Sequence, residues 1–204
     1  MKTATPSRLS IDGPAGKLEI VANDPGGGRR GVALVAHPHP LYGGTLDNKV
    51  VQTLAKAFFA SGYCALRLNF RGVGASDGVF DEGRGEIEDF LALAEHARRT
   101  YGEGELLLGG FSFGGFVAAS VAGRLEPRHL VLVAPAVGRF PVGTVPAGTL
   151  VVHGEEDDVV PLKDALDWAR PQQLPIVVFP GAGHFFHGNL VTLQRVVEQH
   201  CRAA

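Results

Sequence analysis

Leu106-Leu107-Leu108-Gly109-Gly110-Phe111-Ser112-Phe113-Gly114-Gly115 is the stretch from which the rest of the chain is read. Its leucines make a short buried strand, and its glycines make a turn too tight for most residues. The spacing Gly110-x-Ser112-x-Gly114 puts a serine at the apex of a strand-to-helix turn, lifted out of the sheet on a strained backbone. Bulky residues two places to either side would collide there, so both positions are glycine. A serine hydroxyl is a poor nucleophile unless it is exposed, close to a base and near donors that can hold an oxyanion. The helix expected from Phe113 aims free N–H groups and a positive dipole end at that point. In a chain with 28 glycines the pattern by itself is weak. Its weight comes from the strand before it, a helix pattern running to about Arg124, and partner residues further on.

Working outward, the chain alternates. Ser7–Asp12 and Lys17–Ala22 are two short alternating segments joined by Gly13-Pro14-Ala15-Gly16, which predicts a hairpin. Apolar runs at Val32–Ala36, Tyr63–Asn69, His129–Ala134, Thr149–His153 and Pro175–Phe179 predict buried strands. Helical periodicity covers Asp47–Ser61, Gly85–Tyr101, Pro161–Arg170 and Asn189–Cys201. A hairpin followed by strands alternating with helices predicts a mostly parallel sheet with helices on both faces and right-handed crossovers. In such sheets active groups gather at strand carboxyl ends. The informative turns, His37–Gly44, Gly110–Gly114, Gly154–Asp158 and Gly181–His184, all fall there.

The bulk properties narrow the field. A length of 204 residues suits one well-buried domain, 1-204, and is short for two. A net charge of −2 provides no basic field for nucleic acid or an anionic membrane. Met1–Ser10 has no apolar core, which predicts no secretory signal, and no run approaches the ~18 apolar residues of a membrane span. Cys64 and Cys201 lie far apart without a C-x-x-C, so neither a disulfide framework nor a zinc site is expected. The expectation is a cytoplasmic protein.

With these residues in place the chain resembles the α/β-hydrolase fold superfamily. The likeness rests on Gly-Phe-Ser112-Phe-Gly, on His-Gly-Glu-Glu-Asp157-Asp-Val-Val-Pro and on Gly-Ala-Gly-His184-Phe-Phe, in that order. Asn69-Phe-Arg-Gly-Val-Gly-Ala-Ser76 is similar to the glycine-rich turn that these proteins carry after an earlier strand. Ala36-His-Pro-His-Pro-Leu-Tyr-Gly-Gly-Thr45 with Asn48-Lys49-Val50-Val51 resembles, more narrowly, a group of small lidless bacterial serine hydrolases. The resemblance implies an eight-stranded sheet with an antiparallel second strand. Larger relatives insert a helical cap between the sixth and seventh strands. Pro135–Gly148 is too short for one, so the site is expected to be open.

The expected roles follow. Ser112 is the nucleophile and His184 the base, its Gly-x-Gly-His setting at a strand end favouring it over His187. Among the four acids Glu155–Asp158, a run that would otherwise be a solvated loop, the resemblance selects Asp157 to orient His184, with Asp158 next in line. The order Ser, Asp, His is that of the fold. One oxyanion donor is expected from the Phe113 N–H and the other from the His37–Gly44 loop. Pro38 and Pro40 have no N–H, which restricts the donors to residues such as His39, Leu41 or Tyr42, with His39 or Leu41 favoured. Tyr42, Phe111, Phe140 and Phe185, with Leu41 and Phe186, are candidates for an apolar acyl pocket, although aromatic residues are as often plain core. Arg71 is expected to anchor its turn on a carboxylate.

These residues predict a serine hydrolase that cleaves short or medium acyl esters of small molecules, with no cofactor or metal. A thioesterase, a peptidase or a perhydrolase would use the same triad. A metal-dependent hydrolase built on His37-x-His39 with His184 and Asp157 is a further alternative, opposed by a chain shorter than the ~250 residues of a (β/α)₈ barrel. A non-catalytic binding protein on the same fold is opposed by the intact triad. Gly72-x-Gly74 lacks its third glycine at the required place, and no Walker A sequence is present.

Overall fold

The computed structural model of the chain describes residues 5–202. Eight strands form one sheet: β1 (Ser7–Gly13), β2 (Gly16–Asn23), β3 (Gly31–Ala36), β4 (Tyr63–Leu68), β5 (Glu105–Phe111), β6 (His129–Val133), β7 (Leu150–Gly154) and β8 (Ile176–Phe179). Their order is β1-β2-β4-β3-β5-β6-β7-β8. The β1–β2 and β2–β4 pairs are antiparallel and every later pair is parallel. This is the α/β-hydrolase sheet, antiparallel second strand included. The hairpin closes through Pro14 and Ala15 alone, which fixes its register from Gly13↔Gly16 to Ser7↔Ala22.

The helices are α1 (Lys49–Ala60), α2 (Arg84–Tyr101), α3 (Phe113–Leu125), α4 (Leu162–Ala169) and α5 (Leu190–Arg202). Side chains alternate across a strand, and that alternation sorts the core into two layers. Leu34, Leu66, Leu108 and Leu132 face α2 and α3, packing on Phe90, Leu93, Val117 and Val121. Ala33, Val35, Leu107 and Val131 face α1 and α5, packing on Leu54, Phe58, Leu193 and Val197. Every residue of β3 and β4 is buried, as expected of strands covered on both faces.

Element ends shift by a residue or two from the periodicity. Helix α1 starts at Lys49 because Asn48 caps it, its Oδ1 accepting from the Val50 N–H at 2.9 Å. Strand β4 stops at Leu68, because Asn69 turns its side chain to other uses: Oδ1 accepts from the Leu46 N–H at 2.8 Å and Nδ2 donates to Glu19 Oε2 at 2.6 Å. No helix forms between β6 and β7, so no cap stands over the strand ends. No helix among the described residues is long and apolar enough to cross a membrane.

Candidate active site

Strand β5 runs straight into α3 through Ser112, whose φ of 55° and ψ of −118° lie outside the usual regions for a side-chain-bearing residue. Such a conformation costs about 1–3 kcal/mol and persists only where its surroundings enforce it. Here the neighbouring strand does so. The Ser112 N–H donates to Val133 O at 2.9 Å, and Ser112 O accepts from the N–H groups of Gly115 at 2.9 Å and Ala136 at 3.1 Å. The two motif glycines have measurable reasons. A Cβ on Gly110 would meet Gly114 O at 2.1 Å, and one on Gly114 would meet Ala36 O at 2.3 Å. The turn therefore presses α3 against the carboxyl ends of its own strand and of β3.

The acid and the imidazole come from the turns after β7 and β8. His184 Nδ1 and Asp157 Oδ2 are 2.7 Å apart, and both residues are buried. Asp157 Oδ1 accepts from the N–H groups of Val159 at 3.0 Å and Val160 at 2.7 Å. Burial works to raise the Asp157 carboxyl. Hydrogen bonds from His184 and Val160, and the nearness of His184 and His153, more than offset it, so the net shift is downward. An ionised Asp157 places the imidazole proton on Nδ1 and leaves Nε2 basic. His153 sits beneath the pair, fully buried, with Nε2 donating to Val160 O at 2.8 Å and lying 3.5 Å from Asp157 Oδ2. Burial is the largest influence on its pKa and lowers it.

The His37–Gly44 loop closes the other side. Pro40–Tyr42 is a single 3₁₀ turn. His37 is wholly buried and pins the loop to the sheet: Nδ1 donates to Pro38 O at 2.6 Å, and Nε2 accepts from the Phe70 N–H at 3.1 Å. Burial pushes its pKa down to about 4. With both nitrogens engaged, His37 has none left for a metal. No group of three or more His, Cys, Asp or Glu side chains among the described residues is arranged to hold one. The Leu41 N–H is also spent, donating to His39 Nδ1 at 3.2 Å. The backbone N–H groups of His39, Phe113 and Gly114 have no hydrogen-bond partner among the described residues.

A cleft of about 390 Å³ opens over these elements. Ser112, His184, Phe113, His39, Tyr42, Phe140 and Phe185 all line it. Ser112 Oγ makes no hydrogen bond among the described residues and faces the cleft. Three residues depart from expectation. Phe111 does not line the cleft: it is fully buried, with its ring 4.8 Å from that of His184, and serves as the floor on which the imidazole rests. Strand alternation sends Phe111 into the core beneath the turn that lifts Ser112 out. Leu41 is 68% exposed, is not among the residues that line the cleft, and has lost its N–H to His39. Phe186 is likewise core, packed on Phe179. Arg71 is structural, as expected, and holds the buried Asp89 through Nε at 3.0 Å and Nη2 at 2.7 Å.

Sequence reasoning missed His37 as the loop's anchor and His153 as the acid's neighbour. A histidine beside prolines signals a rigid loop but not which groups it will meet. The only trace of His153 is its place at the end of β7.

Comparison with known proteins gives the family and the fold. The sequence profile of the family described as serine aminopeptidase, S33, matches residues 42–147. A lidless a/b serine hydrolase from Xanthomonas campestris superposes with a TM-score of 0.91 at 36% identity, covering 99% of this chain and 95% of that one. An alpha-beta serine hydrolase homologue from Coxiella burnetii gives 0.86 at 36% identity, covering 98% and 99%. An uncharacterised protein of Rickettsia prowazekii is 34% identical over 212 residues, 95% of this chain and 87% of that protein. The chain belongs to the serine hydrolases of the α/β-hydrolase superfamily, within the family described as serine aminopeptidase, S33.

Proposed function

We propose that the protein hydrolyses carboxylic esters of small molecules through an acyl-enzyme intermediate. The observation that carries this reading is the 2.7 Å Asp157–His184 pair opening onto the same cleft as the strained Ser112. His184 Nε2 takes the Ser112 proton as Oγ attacks the carbonyl carbon, while Asp157 holds the tautomer and stabilises the imidazolium. The N–H groups of Phe113 and His39 hold the oxyanion. His184 then protonates the leaving alkoxide, and water repeats the sequence in reverse to release the acid. No step draws on a cofactor or a metal. We place this chemistry in the cytoplasm, because Cys64 and Cys201 are free, buried thiols suited to a reducing compartment.

An uncapped cleft of about 390 Å³ with Phe140, Phe185 and Tyr42 on its walls supports short or medium acyl groups. The family description favours one second reading, the cleavage of a peptide bond after an amino-terminal residue. Matched esters, thioesters and aminoacyl anilides of graded chain length, assayed on wild type and Ser112→Ala, separate the two. Ester turnover should lead and disappear in the variant. Faster anilide turnover would replace the ester reading, and turnover of long-chain lipids alone would overturn the size assignment.

A further inference from the structure

One positive charge on the cleft has no ion-pair partner among the described residues. Twelve of the 14 arginines form ion pairs among the described residues. Arg139 and Arg195 do not. Arg195 lies on the exposed face of α5, away from the cleft, whereas Arg139 lines it.

The backbone holds Arg139 there. It sits at the tip of a tight turn in which Val137 bridges to Phe140, Gly138 takes a φ of 80°, and the Phe140 N–H donates to Ala136 O at 3.1 Å. Ala136 and Val137 are buried, so the turn is fastened to the core while its third residue reaches the cleft. Two acids are near. Asp158 lines the same cleft, and Asp164 lies beside Gly138. Neither is within ion-pair distance of Arg139, and Asp158 has no partner of its own among the described residues. An unpaired guanidinium at one place and an unpaired carboxylate at another would let an anionic substrate settle in one orientation only.

We propose that Arg139 binds a carboxylate carried by the substrate, so that the preferred esters are acidic ones, such as half-esters of dicarboxylic acids. This rests on the ester reading above. A guanidinium fork matches a carboxylate in two parallel hydrogen bonds, and the aromatic wall beside it excludes water from one side. Asp158 repels the same group and so sharpens the orientation.

The test compares 4-nitrophenyl half-esters of adipic and suberic acids with their neutral methyl diesters, and reads the ratio of kcat/KM values. In wild type the acidic member should lead by about fivefold at low ionic strength, a modest figure because the guanidinium is partly solvated. Raising the salt should shrink that ratio. Arg139→Gln should bring it to parity or below, Arg139→Lys should keep part of it, and Asp158→Asn should raise it. Arg195→Gln is the control and should leave it alone. An unchanged ratio in Arg139→Gln overturns this inference while Ser112-dependent turnover of the neutral diesters keeps the ester reading intact. Absence of turnover on every ester, with no labelling of Ser112 by a fluorophosphonate, overturns both.

Discussion

The two sides of the proposed oxyanion site are built on opposite principles. The elbow at Gly110–Gly114 is held by contact. Its glycines exist because a Cβ would strike a carbonyl oxygen at 2.1 Å or 2.3 Å, and its donors come free with the start of α3. The His37–Gly44 loop is held by hydrogen bonds, chiefly the two made by a buried neutral His37. Steric closure tolerates almost no substitution and depends little on solvent conditions. Hydrogen-bonded closure tolerates some substitution but responds to pH.

Substitutions can break that contrast at several strengths. The largest loss is expected where neither side is touched: Asp157→Asn removes the group that sets the His184 tautomer and should lower kcat about 10⁴-fold with little change in folding. Next comes the elbow. Gly114→Ala drives a methyl group into Ala36 O and His37 O and should cost about 10²-fold in kcat through misplacement of Ser112, with a loss of about 1–3 kcal/mol in denaturant unfolding. His37→Asn should be milder, about tenfold in kcat with KM nearly constant, because the loop loosens but its backbone donors survive. If His37→Asn proved as damaging as Gly114→Ala, the distinction between contact and hydrogen bonding would fall.

The same variant has a pH signature. The ordinary histidine value is 6.5 and that of folded His37 is about 4. Between those values the unfolded chain binds a proton that the folded chain refuses, so His37 lowers stability as pH falls from 6.5 towards 4, by about 3 kcal/mol at most. Burial also lowers His39, His153 and His200, so wild type loses stability in this window from several sources. The difference between wild type and His37→Asn isolates one of them. His37→Asn should be the less stable at pH 8, and its stability should fall less steeply through the window. The smallest effect belongs to Leu41→Ala, which should leave kcat/KM within about twofold because that side chain stands off the cleft.

What could be read in the sequence follows the same division. Period and punctuation gave away the sheet, because Val32–Ala36 and Leu106–Leu108 are too uniformly apolar for anything but covered strands. The elbow was legible because steric demand leaves glycine at fixed spacing. Loop donors left no such mark: His39 and Leu41 looked alike until the Leu41 N–H was seen bonded to His39 Nδ1. For Phe111, adjacency in sequence to Ser112 suggests adjacency in the cleft, whereas strand alternation sends the two to opposite sides. Arg139 carries no mark in the sequence, since a missing ion pair can be seen only once the partners of the other cleft and surface arginines are known.

The most direct test is the structure of the adduct formed with a small fluorophosphonate. A single phosphonyl group is expected on Ser112 Oγ, absent in Ser112→Ala, with its oxygen about 2.7–3.1 Å from the backbone nitrogens of both Phe113 and His39. An oxygen held by the elbow alone, or no adduct on folded protein, would contradict this.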